Sequence, residues 1–202
     1  MGVDEAGRGP VLGPMIVAGI IIPEDKTKIL DRIGVKDSKK LTPKRRTVLD
    51  RKLRRMFEYE TVEITAKDID TLRAKEINLN EIEKTAIIKV IEKLNPEAVV
   101  IDSLDVKPKR LEEEIKTIVK CENVKAEHKA DENYLQVAAA SIIAKTERDR
   151  KIEEINKKYI KLGGIGSGYP SDPKTKQFLK NFTYDEMPEF VRKSWNTIQK
   201  MK

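Results

Sequence analysis

The sequence runs to 202 residues, with 41 Lys and Arg against 34 Asp and Glu, a formal net charge of +7. Charged residues make up 37% and hydrophobic ones 39%, which describes a charge-dense surface around an ordinary core and excludes a disordered chain. Single copies of Cys and His, Cys121 and His128, exclude a disulfide framework, a Cys/His zinc site and a two-histidine acid–base nuclease within one chain.

In chain order, Met1–Val3 reads as the stub of a strand continuing through Asp4. The acids of Met1-Gly2-Val3-Asp4-Glu5 stand where a secretion signal needs a basic and then an apolar stretch. Met15–Ile22, between Pro14 and Pro23, reads as a buried strand. It is the longest apolar run and falls short of the about 20 residues that cross a membrane. The expectation is a soluble protein of the reducing cytoplasm with no membrane partner. Thr42-Pro43 predicts an N-cap and first turn, opening a helix to about Met56. Glu60–Ile64 suits a second strand. Asn80–Leu94 puts Ile82, Ala86, Ile87, Val90, Ile91 and Leu94 on one helical face. Ala98–Ile101 is a third strand ending in Asp102, Pro108–Val119 a further amphipathic helix, and Val124–Ala126 a short fourth strand. Asn133–Tyr159 is the longest helical stretch, and its small, apolar centre from Val137 to Ala144 implies burial. A Gly-rich loop follows Gly163, then short helical pieces at Lys174–Asn181 and Met187–Lys193. Cys121 reads as a buried small hydrophobe. Strands followed by strand–helix alternation imply an α/β fold with a mixed sheet and a helical C-terminal part.

Chemistry concentrates where acids end apolar strands. Asp4-Glu5 leads into Ala6-Gly7-Arg8-Gly9-Pro10, Asp102 follows Ala98–Ile101, and Asp131 precedes the long helix. Taken singly, Asp102 is a turn residue and Asp131 a helix cap. Taken together, carboxylates converging at one sheet end repel one another unless a cation sits among them, and their oxygens suit Mg²⁺ or Mn²⁺. Such a site beside a basic surface is apparatus for phosphodiester hydrolysis. From Lys36 to Arg55 the basic residues are Lys36, Lys39, Lys40, Lys44, Arg45, Arg46, Arg51, Lys52, Arg54 and Arg55, against Asp37 and Asp50. That run is either a phosphate-binding face or a solvated helix side. Glycines flanking Arg8 let backbone amides approach a ligand, or form a plain turn. Tyr169, in the Gly-rich loop, is a stacking platform or a packing residue.

Asp4-Glu5-Ala6-Gly7-Arg8-Gly9-Pro10 with Gly13-Pro14 resembles the opening motif of type 2 ribonuclease H (ribonuclease HII). Asp37-Ser38-Lys39-Lys40-Leu41, Glu127-His128-Lys129-Ala130-Asp131 and Ala139-Ala140-Ser141-Ile142-Ile143-Ala144-Lys145 are similar to that family too, as is Gly166-Ser167-Gly168-Tyr169-Pro170-Ser171-Asp172-Pro173. These blocks follow family order from Asp4 to Trp195, and the archaeal branch matches best. The resemblance implies a ribonuclease H-like mixed five-stranded sheet flanked by helices. It divides the chain into a catalytic domain at 1–160 and a C-terminal loop and helical subregion at 161–202. It also implies metal ligation and catalysis by Asp4, Glu5, Asp102 and Asp131, with Mg²⁺ or Mn²⁺ as cofactor. By the same resemblance the backbone of Gly7, Arg8 and Gly9 meets the ribose 2′-hydroxyl and Tyr169 stacks on the adjoining deoxyribose. Lys39, Ser141 and Lys145 are expected to contact phosphates, and Lys40, Arg45 and Arg46 join them from the basic run. Leu135 stands where relatives often carry proline. The expected partners are RNA–DNA hybrids and ribonucleotide-containing duplex DNA, bound by a monomer without a sliding-clamp peptide. A passive nucleic-acid binder and a ribonuclease H-like DNA resolvase or transposase are the competing readings. Metal-dependent turnover separates the first, and the need for a 2′-hydroxyl separates the second.

Overall fold

Six consecutive buried residues, Met15-Ile16-Val17-Ala18-Gly19-Ile20, form a strand with no solvent-facing side. Such a run belongs inside a sheet covered on both faces. In the computed structural model, which describes residues 1–36, 41–103, 105 and 107–202, it is β2 of a five-stranded sheet ordered β3-β2-β1-β4-β5. The strands are β1 (Gly2–Ala6), β2 (Met15–Ile20), β3 (Tyr59–Ile64), β4 (Ala98–Asp102) and β5 (Asn123–Glu127). Between and after them run α1 (Thr27–Ile33), α2 (Pro43–Met56), α3 (Ala66–Arg73), α4 (Leu79–Leu94), α5 (Pro108–Ile118), α6 (Ala130–Asn133), α7 (Leu135–Lys158), α8 (Pro173–Leu179) and α9 (Asn196–Gln199). Lys39 and Lys40, with Asp37 and Ser38, lie outside the described residues. Among the described residues, no helix is long and apolar enough to cross a membrane.

The register positions the acids. β1 is antiparallel to β2, pairing Asp4 with Ala18, and parallel to β4, pairing Val3 with Ile101. Asp4 and Asp102 therefore occupy matching places just past the paired residues of neighbouring parallel strands. β4 is parallel to β5 and sets Asp102 opposite Glu127. Ligands of open α/β sheets bind outside the carboxyl ends of such strands.

The chain forms two compact units, each discontinuous in sequence. The first comprises Met1–Ala6, Ile16–Val62 and Glu83–Thr146; the second comprises Gly7–Met15, Glu63–Ile82 and Glu147–Lys202. In the first, Ile16, Ala18 and Ile20 of β2 cluster with Leu30, Leu49 and Leu53 and with the apolar residues between Ala138 and Ala144 of α7. Gly2 makes that closeness possible: a Cβ there would collide with the Gln136–Val137 backbone at the start of α7. Alternation along β1 puts Gly2 and Asp4 on the same face, so the glycine also brings α7 to the side of the strand that carries Asp4. The second unit packs around aromatic residues, with Tyr159 edge-on to Phe178 and to Phe190, both at 5.3 Å between ring centroids.

The helix predicted over Met187–Lys193 is absent. Met187, Phe190 and Val191 recur at helical spacing, but this order comes from a different use of the backbone. Val191 bridges to Leu12, the Phe190 carbonyl accepts from Gly13 N–H (2.8 Å), and Arg192 N–H donates to the Val11 carbonyl (2.9 Å). A helix would consume those groups internally. Among the described residues, α1, α3, α6 and α9 have no predicted counterpart; α3 opens with a capping box between Thr65 and Asp68.

Candidate active site

One carboxylate oxygen from each of Asp4, Asp102 and Asp131 lies within 4.8 Å of the other two, all within the first unit. Asp4 and Asp131 are buried and Asp102 is half-buried. The turn that delivers Asp131 is tied to the end of β4. Ala130 N–H donates to Asp102 Oδ1 (2.9 Å), and His128 Nδ1 donates to the Ser103 carbonyl (2.8 Å). Asp102 thus acts as a turn acceptor and a member of the cluster at once. Burial, reinforced by the neighbouring Asp102 charge, pushes Asp4 up to about 7, against the opposing hydrogen bond from Ser141 and the charge of Lys145. Ser141 is fully buried, and Lys145, one helical turn on, donates to its hydroxyl (2.6 Å). Glu5 stands outside the three-oxygen group, yet burial and the charges of Asp4, Glu83 and Asp102 hold its carboxyl well above the usual range. Glu83, a buried acid on α4, went unmarked in the sequence because it sits among the surface-like charges of that helix. An all-oxygen, like-charged and partly dehydrated set is the donor chemistry a hard divalent cation fits.

The second unit holds the glycine loop, and residues near the C-terminus fix its shape. Arg192, fully buried, donates from Nη2 to the Gly7 carbonyl (2.6 Å), from Nη1 to the Arg8 carbonyl (3.0 Å) and from Nε to the Gly13 carbonyl (3.0 Å). Trp195 Nε1 donates to the Gly9 carbonyl (3.2 Å). Three successive carbonyls are drawn to one side. In a trans peptide C=O and N–H are antiparallel, so the amide hydrogens of Arg8 and Gly9 point to the other side. Residue 10 is proline and has none. Burial and the second guanidinium of Arg148 pull Arg192 down to about 9, which leaves it protonated at neutral pH. The Arg8 side chain is anchored on Asn80 Oδ1. Tyr169 is 43% exposed, and its ring is the first atom group a Cβ on Gly9 would meet, at 3.7 Å. Its loop is shaped by Asp172, which accepts from Ser167 N–H (2.6 Å) and caps α8 through Lys174 N–H (2.9 Å). Arg45 is exposed and Arg46 half-buried on the first turn of α2, which Thr42 caps as predicted. Arg148, Arg192 and Asn80 carried no local sequence signal.

The family model for ribonuclease HII matches residues 1–198. The chain is 61% identical over 202 residues to ribonuclease HII of Methanobrevibacter smithii, covering 100% of this chain and 97% of that one. It is likewise 61% identical to ribonuclease HII of Methanothermobacter thermautotrophicus, covering 100% and 98%. Among solved structures it superimposes on ribonuclease H2 of Pyrococcus horikoshii with a TM-score of 0.90 at 44% identity, covering 99% of this chain and 95% of that one. The ribonuclease HII of Archaeoglobus fulgidus, solved in complex with PCNA, gives 0.89 at 43% identity, covering 96% and 94%. A match this long, on a mixed five-stranded sheet with acids gathered at its parallel strand ends, places the chain in the ribonuclease HII family, the hydrolases that cleave the RNA of RNA–DNA hybrids endonucleolytically.

Proposed function

We propose that the enzyme hydrolyses the RNA strand of hybrids and also cuts at ribonucleotides embedded in duplex DNA, by divalent-metal-assisted attack of water giving 5′-phosphate and 3′-hydroxyl ends. The carboxylate cluster carries the reading, because three aspartates with oxygens within 4.8 Å of one another, two of them buried, bring together the like-charged, all-oxygen donor set that a hard divalent cation suits. Asp4, Asp102 and Asp131, with Glu5 beside them, would hold Mg²⁺ or Mn²⁺, and the bound ion would supply polarisation of the phosphate and a water of lowered pKa. The protein's own residues do the placing. Ser141 restrains the Asp4 carboxylate, and Lys145 adds positive charge where a phosphate arrives. The amide hydrogens of Arg8 and Gly9, beyond Gly7, donate to the 2′-hydroxyl oxygen, the group that separates RNA from DNA locally. Tyr169 lies against the adjoining sugar, and Lys39, Lys40, Arg45 and Arg46 take backbone phosphates.

Three end-labelled duplexes test this: all-DNA, a continuous hybrid, and DNA with one ribonucleotide, each with chelator, Mg²⁺ or Mn²⁺. Cleavage confined to the two ribose-containing duplexes and abolished by chelator is expected. Equal cutting of all-DNA would make the protein a general metal nuclease. Salt-dependent binding without turnover would make it a passive binder.

A further inference from the structure

Arg148, just past the middle of α7, is a cation in the wrong company. It is 7% exposed, its Nε has no hydrogen-bond partner, and among the described residues it makes no ion pair. Its one polar contact among the described residues is long, from Nη2 to the Leu12 carbonyl at 3.4 Å. Burial lowers its pKa accordingly. Removing a guanidinium from water without an anion is unfavourable, and an apolar chain of similar volume would fill the space without that cost. What the side chain touches is specific. A Cβ at Gly7 (φ 94°) would stand 2.5 Å from Arg148 Cδ and Nε. A Cβ at Gly168 (φ 81°) would stand 3.4 Å from Nη2. The guanidinium carbon lies 5.6 Å from the centroid of the Tyr169 ring. The Gly7 turn closes directly on the Arg148 side chain, Gly168 packs on Leu12 with the guanidinium next to it, and that cation lies over the exposed ring.

We propose that Arg148 is a specificity-positioning residue, which sets the Tyr169 ring against the Gly7-Arg8-Gly9 loop so that the two grip a single ribonucleotide from both sides. This rests on the reading of Tyr169 and the loop given above. A guanidinium both stacks and attracts the ring's electron-rich face, while the two close-packed glycine loops keep it in register. A continuous hybrid offers many 2′-hydroxyls and tolerates a loosened ring. A lone ribonucleotide offers one.

The test is a double-mutant cycle on two substrates, with R148M, R148K, Y169A and the two double variants, reading kcat and KM separately. R148M should lower kcat/KM on the lone-ribonucleotide duplex about tenfold more than on the continuous hybrid, the scale of a desolvated cation–π contact. R148K, retaining the charge without the flat stack, should fall between R148M and the unaltered enzyme. In the Y169A background either change should add less than about twofold, because the residue acts through the ring. Equal losses on both substrates, losses additive with Y169A, or no loss at all would overturn the proposal. R148K carries the test if R148M fails to fold. If Y169A itself shows no selective loss, the reading of Tyr169 falls and this inference with it. If Y169A is selective but Arg148 is additive, only this inference falls.

Discussion

Replacing Arg192 by Met keeps the bulk of the side chain and removes the three donors that the guanidinium gives the glycine loop. Three carbonyls, those of Gly7 and Gly13 buried and that of Arg8 half-buried, would lose a charged partner at 2.6–3.0 Å. At about 1.5–3 kcal/mol for each hydrogen bond to a charged group, the gross loss is about 5–9 kcal/mol. Relief of the buried guanidinium's dehydration returns several kcal/mol, leaving a net destabilisation of about 3–5 kcal/mol. For a chain of this length 1 kcal/mol moves the thermal midpoint by about 2–4 °C, so a fall on the order of 10 °C is expected. Circular dichroism melts of the unaltered protein, Arg192→Met and Arg192→Lys read this directly. Lys should lie between the other two, because one ammonium cannot reach three carbonyls facing a planar fork. The released carbonyls also let the Arg8 and Gly9 amides turn, so turnover on a lone ribonucleotide should fall at least tenfold at a temperature where the variant is folded. A midpoint within 3 °C of the unaltered protein, or a stable variant with full selectivity, would refute the view that Arg192 shapes this loop.

Asp4→Asn should lower cleavage at least a hundredfold at saturating metal while leaving hybrid binding nearly intact, measured by single-turnover kinetics and electrophoretic shift. The same variant should melt no lower than the unaltered protein without metal, since it removes one of the buried like charges. Asp172 tests the tyrosine loop through pH. Hydrogen bonds from Ser167, by backbone and side chain, hold its carboxyl down to about 2 from an unfolded value of 3.8. Its contribution is therefore fully present above 3.8 and lost as pH falls through about 2. Urea midpoints of the unaltered protein and Asp172→Asn should converge across that window; a constant gap would mean the carboxylate's charge is irrelevant. Reversing Arg45 and Arg46 to Glu should weaken binding to all duplexes alike and flatten the salt dependence by about one unit of slope per lost contact. An unchanged slope would leave the start of α2 a solvated face.

Most of the sheet was legible because its strands are short aliphatic runs with sharp ends. The acid after Ala98–Ile101 marked both the strand end and the site. The sequence predicts only a strand stub through Asp4, whereas β1 runs to Ala6, since pairing with the apolar β2 extends a strand whose own composition, Asp4-Glu5, argues against one. The spacing of Met187, Phe190 and Val191 imitates a helix face, and only the bridge to Leu12 and the reach of Arg192 show otherwise. The capping box at Thr65–Asp68 was present to be read and would have located α3. Nothing local could have separated Arg148 and Arg192 from the other basic residues. Their burial is a property of what surrounds them in space, and a chain with 41 Lys and Arg hides two inward-facing ones well.

Trp195 is the chain's single tryptophan, so its ultraviolet emission comes from one known place. Its indole N–H rests on the Gly9 carbonyl, and two guanidinium carbons, of Arg192 and Arg73, lie 4.8 and 5.6 Å from its ring centre. Positive charge this close to an indole tunes its excited state, and a displacement of either cation shifts the colour and yield of the emission. The protein therefore carries a built-in optical gauge on the glycine loop. Stopped-flow traces taken with ribose-containing and all-DNA duplexes, without any attached dye, would time the moment the loop engages a sugar relative to the moment the strand is cut.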